Sequence, residues 1–241
     1  MKNNRRGFLK TEGSIIGAGI TPSFASAIHG GQIHSGVCRE SLIQSAEIIR
    51  DNTPLAKIYH APLSYDGEWN EMNEFEHFSV AEMDEKALAI TVKDLNYHFQ
   101  KMSGAKLEIV LTDNPAMIKP PAIVIGSLAN KMGASPRVDH DPSREAFRIK
   151  SENGIILIGG SSDFGASHGA YTLLEKLGCA WVMPGKEGEI IPGMATVQIP
   201  DMDIQEAPDF YQRDNWYGGR PSFSQWQELF EWCLRHKANI R

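Results

Sequence analysis

Cysteine is scarce in this chain: Cys38, Cys179 and Cys233 are its only three in 241 residues. Three cannot all pair, and none sits in a CxxC or a Cys/His cluster, so at most one disulfide is available and a disulfide framework is excluded. The eight histidines are scattered, with no H-E-x-x-H or other zinc spacing. No apolar run approaches the roughly 20 residues of a spanning helix, which excludes a polytopic membrane protein. Basic residues are outnumbered 24 to 30, a net charge of -6, which disfavours a nucleic-acid partner. Apolar residues at 41% and charged residues at 22% are ordinary for a folded globular chain, so disorder and collagen-like repeats are excluded too.

Nucleotide-binding loops are also missing. Gly160 to Gly165 fits G-x-x-x-x-G, but Ala166 and Ser167 stand where a phosphate loop has Lys and Ser/Thr. Ser162 occupies the second glycine position of a dinucleotide loop. The segment reads as a tight turn that lets a following helix pack closely, with Asp163 as its N-cap. No G-x-S-x-G elbow surrounds Ser161 and Ser162, which argues against a serine hydrolase. His168, near the start of that helix, reads as structural. Asp84-Glu85, an adjacent acid pair, falls at a helix start and is expected to be exposed and structural.

What is present begins with an address. Asn4-Arg5-Arg6-Gly7-Phe8-Leu9-Lys10 precedes a weakly apolar stretch and the small-x-small site Ala25-Ser26-Ala27. This resembles the twin-arginine export motif, with Asn4 where Ser or Thr is usual. Residues 1–27 are therefore expected to be a signal peptide cleaved after Ala27, with export to a periplasmic or extracellular location and no stable membrane insertion afterwards. Removing the four basic residues and one acid of that segment leaves 20 basic against 29 acidic residues, a net charge of -9.

The periodicities predict a mixed α/β chain. Leu42, Ala46 and Ile49 suggest a short helix around Glu40–Arg50, and Lys57–Tyr59 a strand. Residues 65–86 hold eight acids against Lys86, read as a solvated loop leading into a helix without calcium-loop spacing. Leu88, Val92, Leu95, Phe99 and Met102 form one helical stripe over Asp84–Ser103, ended by Gly104. Strands are expected at Lys106–Leu111, Ala122–Ile125, Ala146–Lys150 and Ile155–Ile158, the last two joined through Asn153-Gly154, a hairpin signal. A second helix runs to Gly178, buried through Ala170, Leu173, Leu174 and Leu177. Ala180–Val182 and Thr196–Ile199 read as strands, and Pro200–Pro208 as a linker. The order predicts an α/β layered domain, a mixed sheet with two main helices packed on it. In the tail, Asp209–Gln212 reads as a strand and Ser222–Lys237 as an amphipathic helix. Its stripe of Trp226, Leu229, Phe230, Cys233 and Leu234 is expected to stay uncovered, because so little chain follows it.

Three passages together resemble a known family. They are Lys101–Ile109, Ala122–Gly126, and the stretch from Phe147–Ile149 through Ile155–Gly160 and Gly169–Gly178 to Trp181–Gly185 and Glu189–Pro192. They resemble the small α/β domain that precedes the catalytic barrel of bacterial α-glucuronidases and β-N-acetylhexosaminidases, glycoside hydrolase families 67 and 20, over roughly residues 80–240. Phe210–Arg213 and Arg235–Asn239 are similar to the opening strand and helix end of that (β/α)8 barrel.

The resemblance implies residues 28–204 as the α/β domain and 205–241 as the first strand-helix unit of an incomplete barrel. It implies an exported glycoside hydrolase acting on oligo- or polysaccharide. The family 20 Asp-Glu pair and the separated carboxylates of family 67 would lie beyond Arg241, so no catalytic residue is assigned, and no metal or cofactor. Arg213, Asp214 and Trp216, at the end of the first barrel strand, are the candidate substrate-binding residues: a guanidinium fork and an aromatic face suit sugar hydroxyls and rings. The alternative reading is a non-catalytic carbohydrate-associated module.

Overall fold

The computed structural model describes residues 45–65, 80–213 and 223–239, all within one unit, Ser41–Arg241. The expected signal peptide, the acidic residues 66–79, Cys38, Asp214 and Trp216 lie outside the described residues.

The centre is a six-stranded mixed sheet. Its members are β3 (Lys57–His60), β4 (Glu108–Leu111), β5 (Ala122–Ile125), β6 (Phe147–Glu152), β7 (Ile155–Gly160) and β11 (Met202–Glu206). The order across it is β11-β6-β7-β5-β3-β4. The four strands β4, β3, β5 and β7 run parallel, and β6 and β11 are antiparallel additions. Parallel strands are covered on both faces, so they read as continuous apolar runs. All four residues of β5 are buried. Register then sorts side chains into rows: Ile58, Ile123 and Ile156 align on one face, Tyr59, Val124 and Leu157 on the other.

The isoleucine face is packed by α1 (Val80–Ser103) and α3 (Asp163–Lys176), which lie against each other. The full predicted stripe of α1, from Leu88 to Met102, is at most 4% exposed. Gly104 ends the helix at φ +76°, donating its N–H to the Gln100 carbonyl at 2.7 Å. Buried Asn96 then fixes the entry into β4: its Nδ2 donates to the Leu107 carbonyl and its Oδ1 accepts from the Leu107 N–H, both at 2.9 Å. The opposite face is covered by α2 (Ser127–Ala129) and the π-turn Asn130–Ala134, through Leu128, Ala129 and Ala134. Asn153 and Gly154, at φ +54° and +79°, make the expected two-residue hairpin between β6 and β7.

A three-stranded antiparallel sheet, in the order β10-β1-β2, closes the core with β1 (Ser45–Arg50), β2 (Thr53–Pro54) and β10 (Val197–Pro200). Here the predicted helix is corrected: residues 45–50 are a strand. Ile48-Ile49 is a β-branched pair, and Asp51 and Asn52, at φ +47° and +62°, turn the chain into β2. The expected linker is corrected as well, because Met202–Glu206 alternates apolar and polar residues and pairs along β6 as an edge strand. A two-stranded hairpin, β8 (Ala180–Trp181) with β9 (Glu189–Ile190), sets Trp181 opposite Glu189. The α/β class with a mixed sheet holds.

The tail departs from expectation. Residues 209–213 form no strand, while α4 (Phe223–Arg235) is helical. Its stripe is covered: Leu229, Phe230, Cys233 and Leu234 are at most 9% exposed, with Phe230 and Leu234 in the main core. Of that stripe only Trp226, at 44%, stays open. The helix folds back over α3, and Leu229 and Cys233 cluster with Ala238 just past its end. Among the described residues no helix is long and apolar enough to cross a membrane, and Cys179 and Cys233 are buried as thiols, outside any disulfide.

Candidate functional site

Open α/β sheets gather loops and helix N-termini at the carboxyl ends of their parallel strands, where ligands commonly bind. Here α2 starts one residue after β5, and α3 starts two residues after β7. A cleft of about 470 Å³ opens there, lined by Asp84 and Glu85 of α1, Arg144, and Ser161, Ser162 and Asp163 at the head of α3. The close approach requires Gly160, where a Cβ would stand 2.2 Å from the Ala166 amide nitrogen. Ser162, not Asp163, caps α3: its extended backbone lets Oγ accept from the Gly165 N–H at 3.3 Å.

Asp163 is the first residue of the helix instead. Its carboxyl is pushed up to about 6, by burial first and then by the negative charges of Asp84 and Glu85. Asp84 is 8% exposed, which corrects the expectation of an exposed acid pair; α1 begins at Val80, so Asp84 sits in its second turn. Glu85 accepts the Ser64 N–H at 2.9 Å and so ties the loop after β3 to α1. On the far side Arg144, at φ +57°, donates to the Ser161 carbonyl at 3.3 Å. Asp141 braces that loop by accepting the Glu145 and Ala146 N–H groups, each at 2.9 Å. Burial works against its charge, but Ser161 and the surrounding amides hold it below its ordinary value. The arrangement supplies one carboxyl that exchanges its proton near pH 6 inside a polar cleft. Among the described residues no group of His, Cys, Asp or Glu is arranged to hold a metal ion.

Arg213, the described member of the predicted binding set, lies elsewhere, on a cleft of about 580 Å³ shared with Phe210, Trp232 and His236. Its guanidinium is engaged within the protein. Nε donates to the Lys237 carbonyl at 2.9 Å, Nη1 to the Phe210 carbonyl at 2.8 Å, and Nη2 to the fully buried Glu145 carboxylate. Asn239 completes the knot: Nδ2 donates to Glu145 at 2.9 Å and Oδ1 accepts the Arg213 N–H at 2.7 Å. Phe210 is 72% exposed at the rim.

Sequence reasoning missed a third cluster, a buried polar network under α4. Arg235 makes a bidentate pair with Asp94 of α1, at 2.9 and 3.0 Å, and reaches Glu189 of β9 at 3.1 Å. The Tyr171 hydroxyl donates to Asp94 at 3.0 Å, and the Tyr97 hydroxyl to Glu189 at 2.9 Å. Trp181 Nε1–H donates to His98 Nε2 at 3.0 Å, which leaves the imidazole proton on Nδ1, facing the Asp94 carbonyl at 2.7 Å. Burial alone would raise the Asp94 carboxyl, but His98 and Arg235 more than offset it and hold it below its ordinary value. Burial and Glu189 push the Tyr97 phenol up to about 12. Cys179, raised to about 12 by burial, is an inert thiol. The signal for this cluster was Arg235 on the apolar side of an amphipathic helix, next to Leu234; its acidic partners are remote in sequence.

No protein-family model matches this chain, and no curated protein matches it.

Proposed function

We propose that this chain is the N-terminal portion of an exported glycoside hydrolase acting on uronic-acid or N-acetylhexosamine linkages. In this reading the α/β unit, which runs through β11, is non-catalytic, and the chain after Glu206 opens a (β/α)8 barrel that supplies the catalytic carboxylates. One observation supports it above the others. The two short segments similar to a barrel opening, Phe210–Arg213 and Arg235–Asn239, are those that anchor the tail, through Arg213–Glu145 and Arg235–Asp94. A domain that presents the first unit of a barrel needs such an anchor. The twin-arginine motif and the acidic balance fit a soluble exported enzyme.

The test has two arms. The first assays the purified protein on an aryl α-glucuronide and an aryl N-acetyl-β-glucosaminide, with no turnover expected of either. Turnover would place a catalytic pair within these residues and overturn the assignment of chemistry to the barrel. The second reads the genomic DNA past codon 241. A frame continuing through strand-helix repeats is expected. An immediate stop codon would favour the carbohydrate-associated module instead.

A further inference from the structure

We infer that Asp94 and Glu189 form an acidic socket in the α/β unit that accepts one guanidinium, and that Arg235 of α4, by filling it, couples docking of the tail helix to the stability of the unit. This inference does not depend on the proposed function. The socket is built from three separate elements, since Asp94 belongs to α1, Glu189 to β9 and the Tyr171 hydroxyl to α3. The side chains of Asp94, Glu189 and Arg235 are 11%, 7% and 6% exposed, so water does little to support the charges. Two carboxylates held this close in a dry site repel each other and are each poorly solvated; one shared cation answers both costs. Lysine would not serve equally, because Asp94 takes two parallel N–H bonds while a third nitrogen reaches Glu189.

Beyond the Glu231 carboxylate, 3.8 Å from the Arg235 Nη2, the packing around the ion triad is apolar and aromatic. Trp181 lies 5.8 Å from the guanidinium carbon, and Trp232 of α4 donates its indole N–H to the Trp181 carbonyl at 3.1 Å. Phe230 and Leu234 enter the main core beside it. The groove thus reads a helix by two apolar residues four apart and an arginine directly after the second. A helix lacking that arginine could still bury its apolar stripe, but it would leave two carboxylates stranded in the interior. The arrangement ties the stability of α1, α3 and the β8–β9 hairpin to one residue from the tail.

Equilibrium melts of the full chain test this, comparing the parent with Arg235→Met and with Asp94→Asn/Arg235→Met. The methionine keeps the buried stem and removes the charge. The single variant should melt lower by about 10 °C at pH 7. The double variant should recover part of that loss, because the amide put in place of the Asp94 carboxylate still accepts from Tyr171, while Glu189 keeps its Tyr97 bond but no cation. A second readout is pH. The groups facing Asp94 are His98, Tyr171 and Arg235, with Tyr97, Cys179, Glu189 and Glu231 beyond them. Without Arg235, burial raises the Asp94 carboxyl, so the single variant should approach the parent as pH falls and Asp94 takes up a proton. A single variant within about 2 °C of the parent, or a double variant no better than the single, would overturn the socket and leave α4 held by packing alone.

Discussion

Asp163 heads a helix, where the dipole favours a carboxylate, and still holds its proton up to about pH 6. The sign of the consequence follows from its ordinary value of 3.8. A raised folded value means the folded state prefers the protonated acid. The stabilisation is complete below pH 3.8 and is lost as pH rises through 6. A difference of about two units is worth at most about 3 kcal/mol, less what solvent screening removes from a side chain at a cleft mouth. Asp163→Asn should therefore stabilise the protein at about pH 8 and make little difference at about pH 4, read as urea midpoints. Equal effects at both pH values would show that the folded state does not raise the Asp163 carboxyl. In Asp84→Asn, the Asp163 carboxyl resonance should titrate at a lower pH than in the parent. The sequence alone shows none of this. Asp84-Glu85 is visible there as an acid pair, but it meets Asp163 only because α1 and α3 begin at the same end of the sheet. Arg213 is visible as an unusual residue, yet only the fold shows its fork spent on Glu145 and two carbonyls.

At the level of elements, legibility followed how far each one depends on its own residues. The α1 stripe, the run Ala122–Ile125, the Asn153-Gly154 hairpin and the Gly104 stop carry their signals locally, and the structure has them. β1 and β11 are stabilised by partners elsewhere: β1 by β10, and β11 by β6. Three apolar residues at helical spacing were too few to outweigh that pairing, and prolines at both ends hid the alternation in Met202–Glu206. The α4 stripe was read correctly as apolar and wrongly as uncovered, because Phe230 and Leu234 enter the main core and Leu229 and Cys233 are covered by Ala238. Two changes separate core from surface here. Leu174, fully buried on α3, should cost about 2–5 kcal/mol when cut to alanine. Trp226→Ala, on the open side of α4, should cost well under about 1 kcal/mol. Denaturant midpoints in the reverse order would mean the packed face of one helix is misassigned. Removing residues 207–241 should give a less stable, aggregation-prone protein, because the core side of α4 would be stripped; a soluble monomer with an unchanged melt would argue that the tail is dispensable.

For the whole molecule, the proposed route of export adds a condition. The twin-arginine pathway carries proteins that have already folded, so replacing Arg5-Arg6 with Lys-Lys should trap uncleaved precursor in the cytoplasm. Undiminished export of that variant, followed by immunoblot of cell fractions, would leave a general signal peptide instead. The pairing of β1 with β10 bears on how such a chain reaches its folded state. Ser45 lies opposite Pro200, so the first strand of the unit waits for one of the last. On the ribosome, Ile48 and Ile49 emerge early and stay without their β10 ladder until most of the unit has been synthesised. Contacts this distant along the chain slow folding and lengthen the time that sticky surface is open to other molecules. The nascent protein should therefore lean on holding chaperones through most of its synthesis, and release from them should coincide with the emergence of β10.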